Sequence, residues 1–109
     1  MTWSIIARDF TTGQIGIAVA TRFFAVGARV PHIAPGIGGV ATQALVNPYY
    51  GIDGVKLLRE GRSPREVIDT LIAADDGREA RQLHVMDIKG RIAAHTGTEC
   101  VDWCGHIQD

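Results

Sequence analysis

Apolar and polar side chains alternate over residues 1–8, with Trp3, Ile5 and Ala7 set against Ser4, Ile6 and Arg8, and this period of two predicts a β-strand. Asp9-Phe-Thr-Thr-Gly13 then supplies turn chemistry, Gly13 being able to take a positive φ. Residues 14–21 form the return strand of a hairpin, with Ile15, Ile17 and Val19 on one face and Gly16, Ala18 and Ala20 on the other. Residues 27–33 and 38–43, rich in Val, Ile, Ala and Gly, read as two more strands around a turn at Ala34-Pro-Gly36.

The period then changes. Residues 48–60 place Val55 and Leu58 at helical spacing and stop at Gly61. Ser63-Pro64-Arg65-Glu66 matches a capping box with proline at the first helical position. Val67, Ile68, Leu71 and Ile72 form the apolar stripe of a second helix, expected to end near Gly77. Residues 81–87 and 91–96 are a last alternating pair around Asp87-Ile-Lys-Gly90. The order ββββααββ implies antiparallel sheet with both helices on one face. The other face needs a second sheet, a partner subunit or further chain.

Composition narrows the class. At 109 residues, 46% hydrophobic and 21% charged, the chain reads as one soluble domain over residues 1–109 with a single core. Its 11 basic and 12 acidic side chains are scattered, which argues against nucleic acid and an acidic membrane surface as partners. No apolar run approaches the ~20 residues of a membrane span and the first 15 residues lack a leader pattern, so a cytoplasmic location is expected. Cys100 and Cys104, flanked by His95 and His106, lack the usual zinc spacing. Two reduced thiols are expected, with neither metal nor cofactor.

The chemistry with the most content lies at position 2. Removal of Met1 would leave Thr2 with a hydroxyl and a free α-amine of pKa near ~8, a nucleophile and its base in one residue. A threonine after the initiator is also simply common. Main-chain N–H groups at Gly38 and Gly39 are candidates for an oxyanion hole, and Gln43 and Asn47 for hydrogen bonds to an amide or carboxylate. Paired glycines for close sheet packing, and Asn47 as a helix start, explain the same residues. Arg81 and Gln82 are a candidate carboxylate clamp, and His95 and His106 candidate bases or ligand contacts; a solvated strand end and hydrogen-bonded structural histidines are the alternatives.

TWSIIARD, GIAVATRF, AVGARVP, GVATQA, NPYYG, GREARQL, the D-x-x-G-R turn, A-x-T-G and WCGH occur in the order found in the family called domain of unknown function 1028, which the chain resembles up to His106. The resemblance implies the fold of the N-terminal nucleophile hydrolases, an antiparallel αββα sandwich, of which this chain would form only the N-terminal part. The hairpin is similar to the opening of proteasome-like β subunits, whose nucleophilic threonine begins the first strand. Thr21 and Arg22 match the segment ending the second strand, but Ala20 replaces its aspartate, and Arg29 and His32 are the nearest basic residues to an expected lysine. The expectation is an amidohydrolase acting on a small amide, ureide or peptide-like bond, with Thr2, Arg22 and Gly39 catalytic and Gln43, Asn47, Arg81 and His95 binding substrate. A non-catalytic binding or scaffold domain of the same fold is the alternative. Because the stripes Ile15/Ile17/Val19 and Val67/Ile68/Leu71/Ile72 need separate cover, a second chain, identical or the rest of the family's sandwich, is expected as a partner.

Overall fold

The expected hairpin forms. A computed structural model describes residues 1–109, and in it β1 (Thr2–Arg8) pairs antiparallel with β2 (Ile15–Thr21), Thr2 opposite Thr21 and Ile6 opposite Ile17. The turn is held as its residue types require. The Asp9 carboxylate accepts hydrogen bonds from the N–H groups of Thr11 and Thr12 at 2.7 and 2.9 Å, and Gly13 sits at φ 72°.

The third predicted strand is shorter than its composition suggests. Residues 26–28 form a single 3-10 turn entered from Ala25 at φ 59°, and β3 runs only over Pro31–Ala34. It pairs with β4 (Gly38–Ala44), which also pairs with β5 (Arg81–Asp87), and β5 pairs with β6 (Ile92–Thr96), so a four-stranded antiparallel sheet has the order β3-β4-β5-β6. α1 (Pro48–Arg59) is capped by Asn47, whose side chain accepts from Tyr49 N–H at 3.1 Å. α2 (Pro64–Ala73) opens on the complete Ser63/Glu66 capping box and ends four residues before Gly77. The chain leaves α2 early because Asp75 turns back toward Arg81, with Gly77 N–H donating to Asp75 Oδ1 at 2.9 Å.

The result is a compact α+β arrangement of two antiparallel sheets and two helices in three layers. Val40, Leu83 and Val85 of the four-stranded sheet meet Val67, Ile68 and Leu71 of α2 and Tyr50 and Leu58 of α1 in the main core. On the opposite face, Ile6, Val30 and Ala41 form a small second core, with Ile15, Ile17 and Val19 packed against it. Both stripes that were expected to need another chain are therefore covered within this one. The four-stranded sheet serves each of them with a different face. What stays uncovered is the outer face of the hairpin, where Trp3 and Ile5 are 69% and 60% exposed.

Candidate functional site

Between the two sheets, side chains from β1, β4, β5 and β6 are joined by ordered hydrogen bonds. Gln43 donates from Nε2 to the Thr2 carbonyl at 3.2 Å and to Gln82 Oε1 at 2.7 Å. Gln82 in turn donates from Nε2 to the Gly105 carbonyl at 2.8 Å and to Thr96 Oγ1 at 3.0 Å. Backbone carbonyls only accept, so they fix the orientation of both amides. Gln43 Oε1 must then be the acceptor of the 2.6 Å contact from Ser4 Oγ. With its single proton so used, Ser4 Oγ accepts at 2.8 Å from His84 Nε2, which fixes the Nε2–H tautomer of a neutral His84. Burial, followed by the neighbouring His106, lowers the His84 pKa below its ordinary value and favours that neutral form. The lone pair on His84 Nδ1 is left free.

This chain of polar groups borders a cavity of about 820 Å³ along β1, β5 and β6, with Ile6, Met86, Ile92 and Ala94 among its apolar walls. At its N-terminal end lie Met1 and, beside it, the start of β1. There the Thr2 hydroxyl donates to Thr21 Oγ1 at 3.0 Å, and Thr21 donates to the Met1 carbonyl at 3.0 Å. Arg22 follows Thr21 and is exposed at the same end.

Of the residues singled out from the sequence, Thr2, Gln43 and Arg22 are brought to one end of the two sheets. Gly39 is not. It lies four residues before Gln43 on β4, about 13 Å along the strand, paired with Ile33 on one side and Met86 on the other. A Cβ there would stand 3.2 Å from Ile17 Cδ1, so its part is close approach of the two sheets. Asn47 and Arg81 gather on the helix side around Asp75, which accepts from Arg81 Nε at 2.9 Å and from Asn47 Nδ2 at 3.3 Å. The Arg81 guanidinium foremost holds the Asp75 carboxyl well below the usual carboxylate range. Buried beside them, Tyr50 has its phenol pKa raised, by burial first and by the Asp75 carboxylate second. His95 lies on the helix-facing side of β6, opposite Leu83, with Nε2 3.0 Å from the Arg78 carbonyl. The nearest basic candidates for the missing lysine also stay away from the cluster: Arg29 is exposed, and the His32 ring lies over Gly51 of α1.

Ser4, His84 and Thr96 were not singled out by sequence reasoning, whereas Gln82 and His106 were, and the structure joins them to the same chain of polar groups. The signal is the polar member of each alternation: Ser4 between Trp3 and Ile5, and Gln82 and His84 flanking Leu83. Cys100 and Cys104 do not meet the histidines in a metal-binding group; Cys100 Sγ contacts the Arg81 carbonyl at 3.4 Å, and Thr96 Oγ1 lies 2.9 Å from His106 Nδ1.

Comparison with known proteins gives a family and a solved relative. Residues 2–109 match the family described as "Family of unknown function (DUF1028)". The chain is similar to the crystal structure of protein SPO2555 from Silicibacter pomeroyi, attributed to the same family, with a TM-score of 0.90 and 38% identity. That match covers 94% of this chain and 48% of the other, so the chain spans about half the length of its solved relative. No curated protein matches it.

Proposed function

From the premise that the chain belongs to the DUF1028 family, whose function is unknown, we propose that it is an amide hydrolase of the N-terminal nucleophile class, acting on a small amide, ureide or peptide-like bond. The observation that carries this reading is the convergence of Thr2, Thr21 and Gln43 at one end of the two sheets, next to Met1 of the cavity wall, with Arg22 exposed beside Thr21.

Removal of Met1 converts the Thr2 nitrogen from an amide to a primary amine. That amine takes the proton from Thr2 Oγ as the oxygen attacks the substrate carbonyl, and passes it to the departing amine. An ester on Thr2 remains, and water cleaves it to the acid. Gln43 Nε2 lies nearer Thr2 than Gly39 N–H does, and it would donate to the oxyanion by exchanging its bond to the Thr2 carbonyl for one to the substrate. Arg22, exposed next to Thr21, supplies positive charge at this end of the sheets. The αββα sandwich of that enzyme class is the fold this reading requires of the whole domain, with the three layers seen here as one side of it.

Intact-mass measurement on active protein should give the mass of the chain without Met1. Thr2→Ala should lower turnover of a panel of small amides by about a thousandfold or more, with Thr2→Ser retaining part of it. Retained Met1 in fully active protein, or equal turnover in Thr2→Ala, ends the proposal. The alternative is a non-catalytic binding or scaffold domain of the same fold. Absence of turnover in wild type and variant alike selects that alternative.

A further inference from the structure

The period of two places Thr2 and Ser4 on one face of β1, about 6.8 Å apart, and that face looks across at Gln43 of β4 and His84 of β5. Gln43 and Gln82 are register partners on adjacent strands, so their amides lie side by side. Three bonds hold the Gln43 amide, and they are unequal. Ser4 Oγ–H reaches Gln43 Oε1 at 2.6 Å and one Nε2 proton reaches Gln82 Oε1 at 2.7 Å, whereas the proton facing Thr2 spans 3.2 Å to the main-chain carbonyl. The longest bond is the one given up at least cost. Which way the single Ser4 proton points is decided by His84. With Nε2–H aimed at it, Ser4 Oγ can send its own proton only to Gln43; an acceptor in that place would draw the proton to itself and leave the buried Gln43 Oε1 without a donor.

Resting on the hydrolase reading above, we propose that Ser4 and His84 are positioning residues that hold the Gln43 amide with one Nε2 proton directed at the oxyanion formed when Thr2 attacks. Neither touches the reacting atoms. As the bond from Thr2 Oγ to the substrate carbon forms, the carbonyl electron pair moves onto oxygen, and the Nε2–H that bonded the Thr2 carbonyl bonds that oxygen instead. The pair returns as the leaving group departs with the proton held by the α-amine. A donor already pinned at its other two contacts needs no reorientation when the charge develops, and this is where such a group gains its effect. Without Ser4 the amide is free to turn about its last bond, and its dipole no longer has one direction.

Gln and Glu share a shape but present a donor and an acceptor where His84 has Nε2–H, so a pair of variants separates the direction of a hydrogen bond from packing. Protein processed to Thr2 is treated at pH 8 with p-nitrophenyl acetate, acetyl transfer to Thr2 is followed by peptide mass, and the side-chain NH2 protons of Gln43 are followed by NMR. His84→Gln should react near the wild-type rate. His84→Glu and Ser4→Ala should be slower by at least about tenfold at saturating ester, with the half-saturating concentration unchanged and faster exchange of the Gln43 NH2 protons. Ser4→Thr, which keeps the hydroxyl, should restore the rate. Equal slowing in His84→Gln and His84→Glu, a wild-type rate in Ser4→Ala, or Gln43 protons indifferent to Ser4→Ala would overturn the inference while leaving Thr2 as the nucleophile. A wild type that takes no acetyl group at Thr2 overturns the hydrolase reading and the inference with it.

Discussion

Asp75 and His84 are two side chains whose environments tie stability to pH, and both act on the acid side. The Asp75 pKa is depressed in the fold by Arg81, so its contribution is fully present above the unfolded value of about 3.9 and is lost as pH falls through the lower folded value. His84 is also depressed, which for a histidine means that the fold prefers the neutral ring. Stability is then full above about pH 6.5 and declines as pH falls toward the folded value, because the unfolded chain binds the proton first. Denaturant unfolding from pH 8 to 5 should show this decline in the wild type and a flatter profile in His84→Gln; parallel profiles would remove His84 as its source. Asp75→Asn should cost about 3 kcal/mol at neutral pH, since it leaves a largely buried Arg81 guanidinium without its anion. Gly39→Ala should cost about 1 kcal/mol through contact with Ile17, with turnover per folded molecule unchanged, which separates sheet packing from chemistry at that position.

At the scale of elements, the readable signals were those whose cause is local. The Ser63/Glu66 box and Pro64 fix the start of α2 through hydrogen bonds within four residues, and removing the cap by Ser63→Ala should lower unfolding stability by about 1 kcal/mol in a denaturant titration. An unchanged midpoint would show that packing alone sets the helix start. The hairpin register and both ends of β5 also follow from turn residues and alternation. Residues 27–30 read as strand and are not, because Val, Ala and Gly satisfy the pattern while strand identity depends on a partner. β4 offers its pairing only to Pro31–Ala34, and the preceding residues close a 3-10 turn instead. The site's chain of polar contacts is illegible for the same reason on a longer scale. Ser4 meets Gln43 and His84 across 39 and 80 residues, a juxtaposition set by how one sheet sits on the other. Thr2, whose chemistry is contained in one residue, is legible, as are Gln43 and Arg22 that join it at one end of the sheets, whereas Gly39 sits apart, since two glycines look alike whether they admit a ligand or a neighbouring strand.

Across the whole molecule, one four-stranded sheet is shared by two cores of unequal size. Eleven buried residues on the helix side face three on the hairpin side, and the hairpin's outer surface is open, so the two faces should differ in resistance to unfolding. The radius of gyration of 12.8 Å, against about 13 Å for a folded chain of this length, shows that the difference lies in coverage rather than in a loose fold. Leu83 is fully buried between the sheet and the helices, so Leu83→Ala opens a cavity in the main core and should destabilise the whole chain by about 2–5 kcal/mol. Ile17 is half-buried under the hairpin, and its truncation removes contacts whose loss the hairpin can accommodate by lifting. Ile17→Ala should therefore raise amide exchange in β1 and β2 while leaving protection in β4 and β5 near wild type; uniform loss of protection in both sheets would show that the two cores unfold as one.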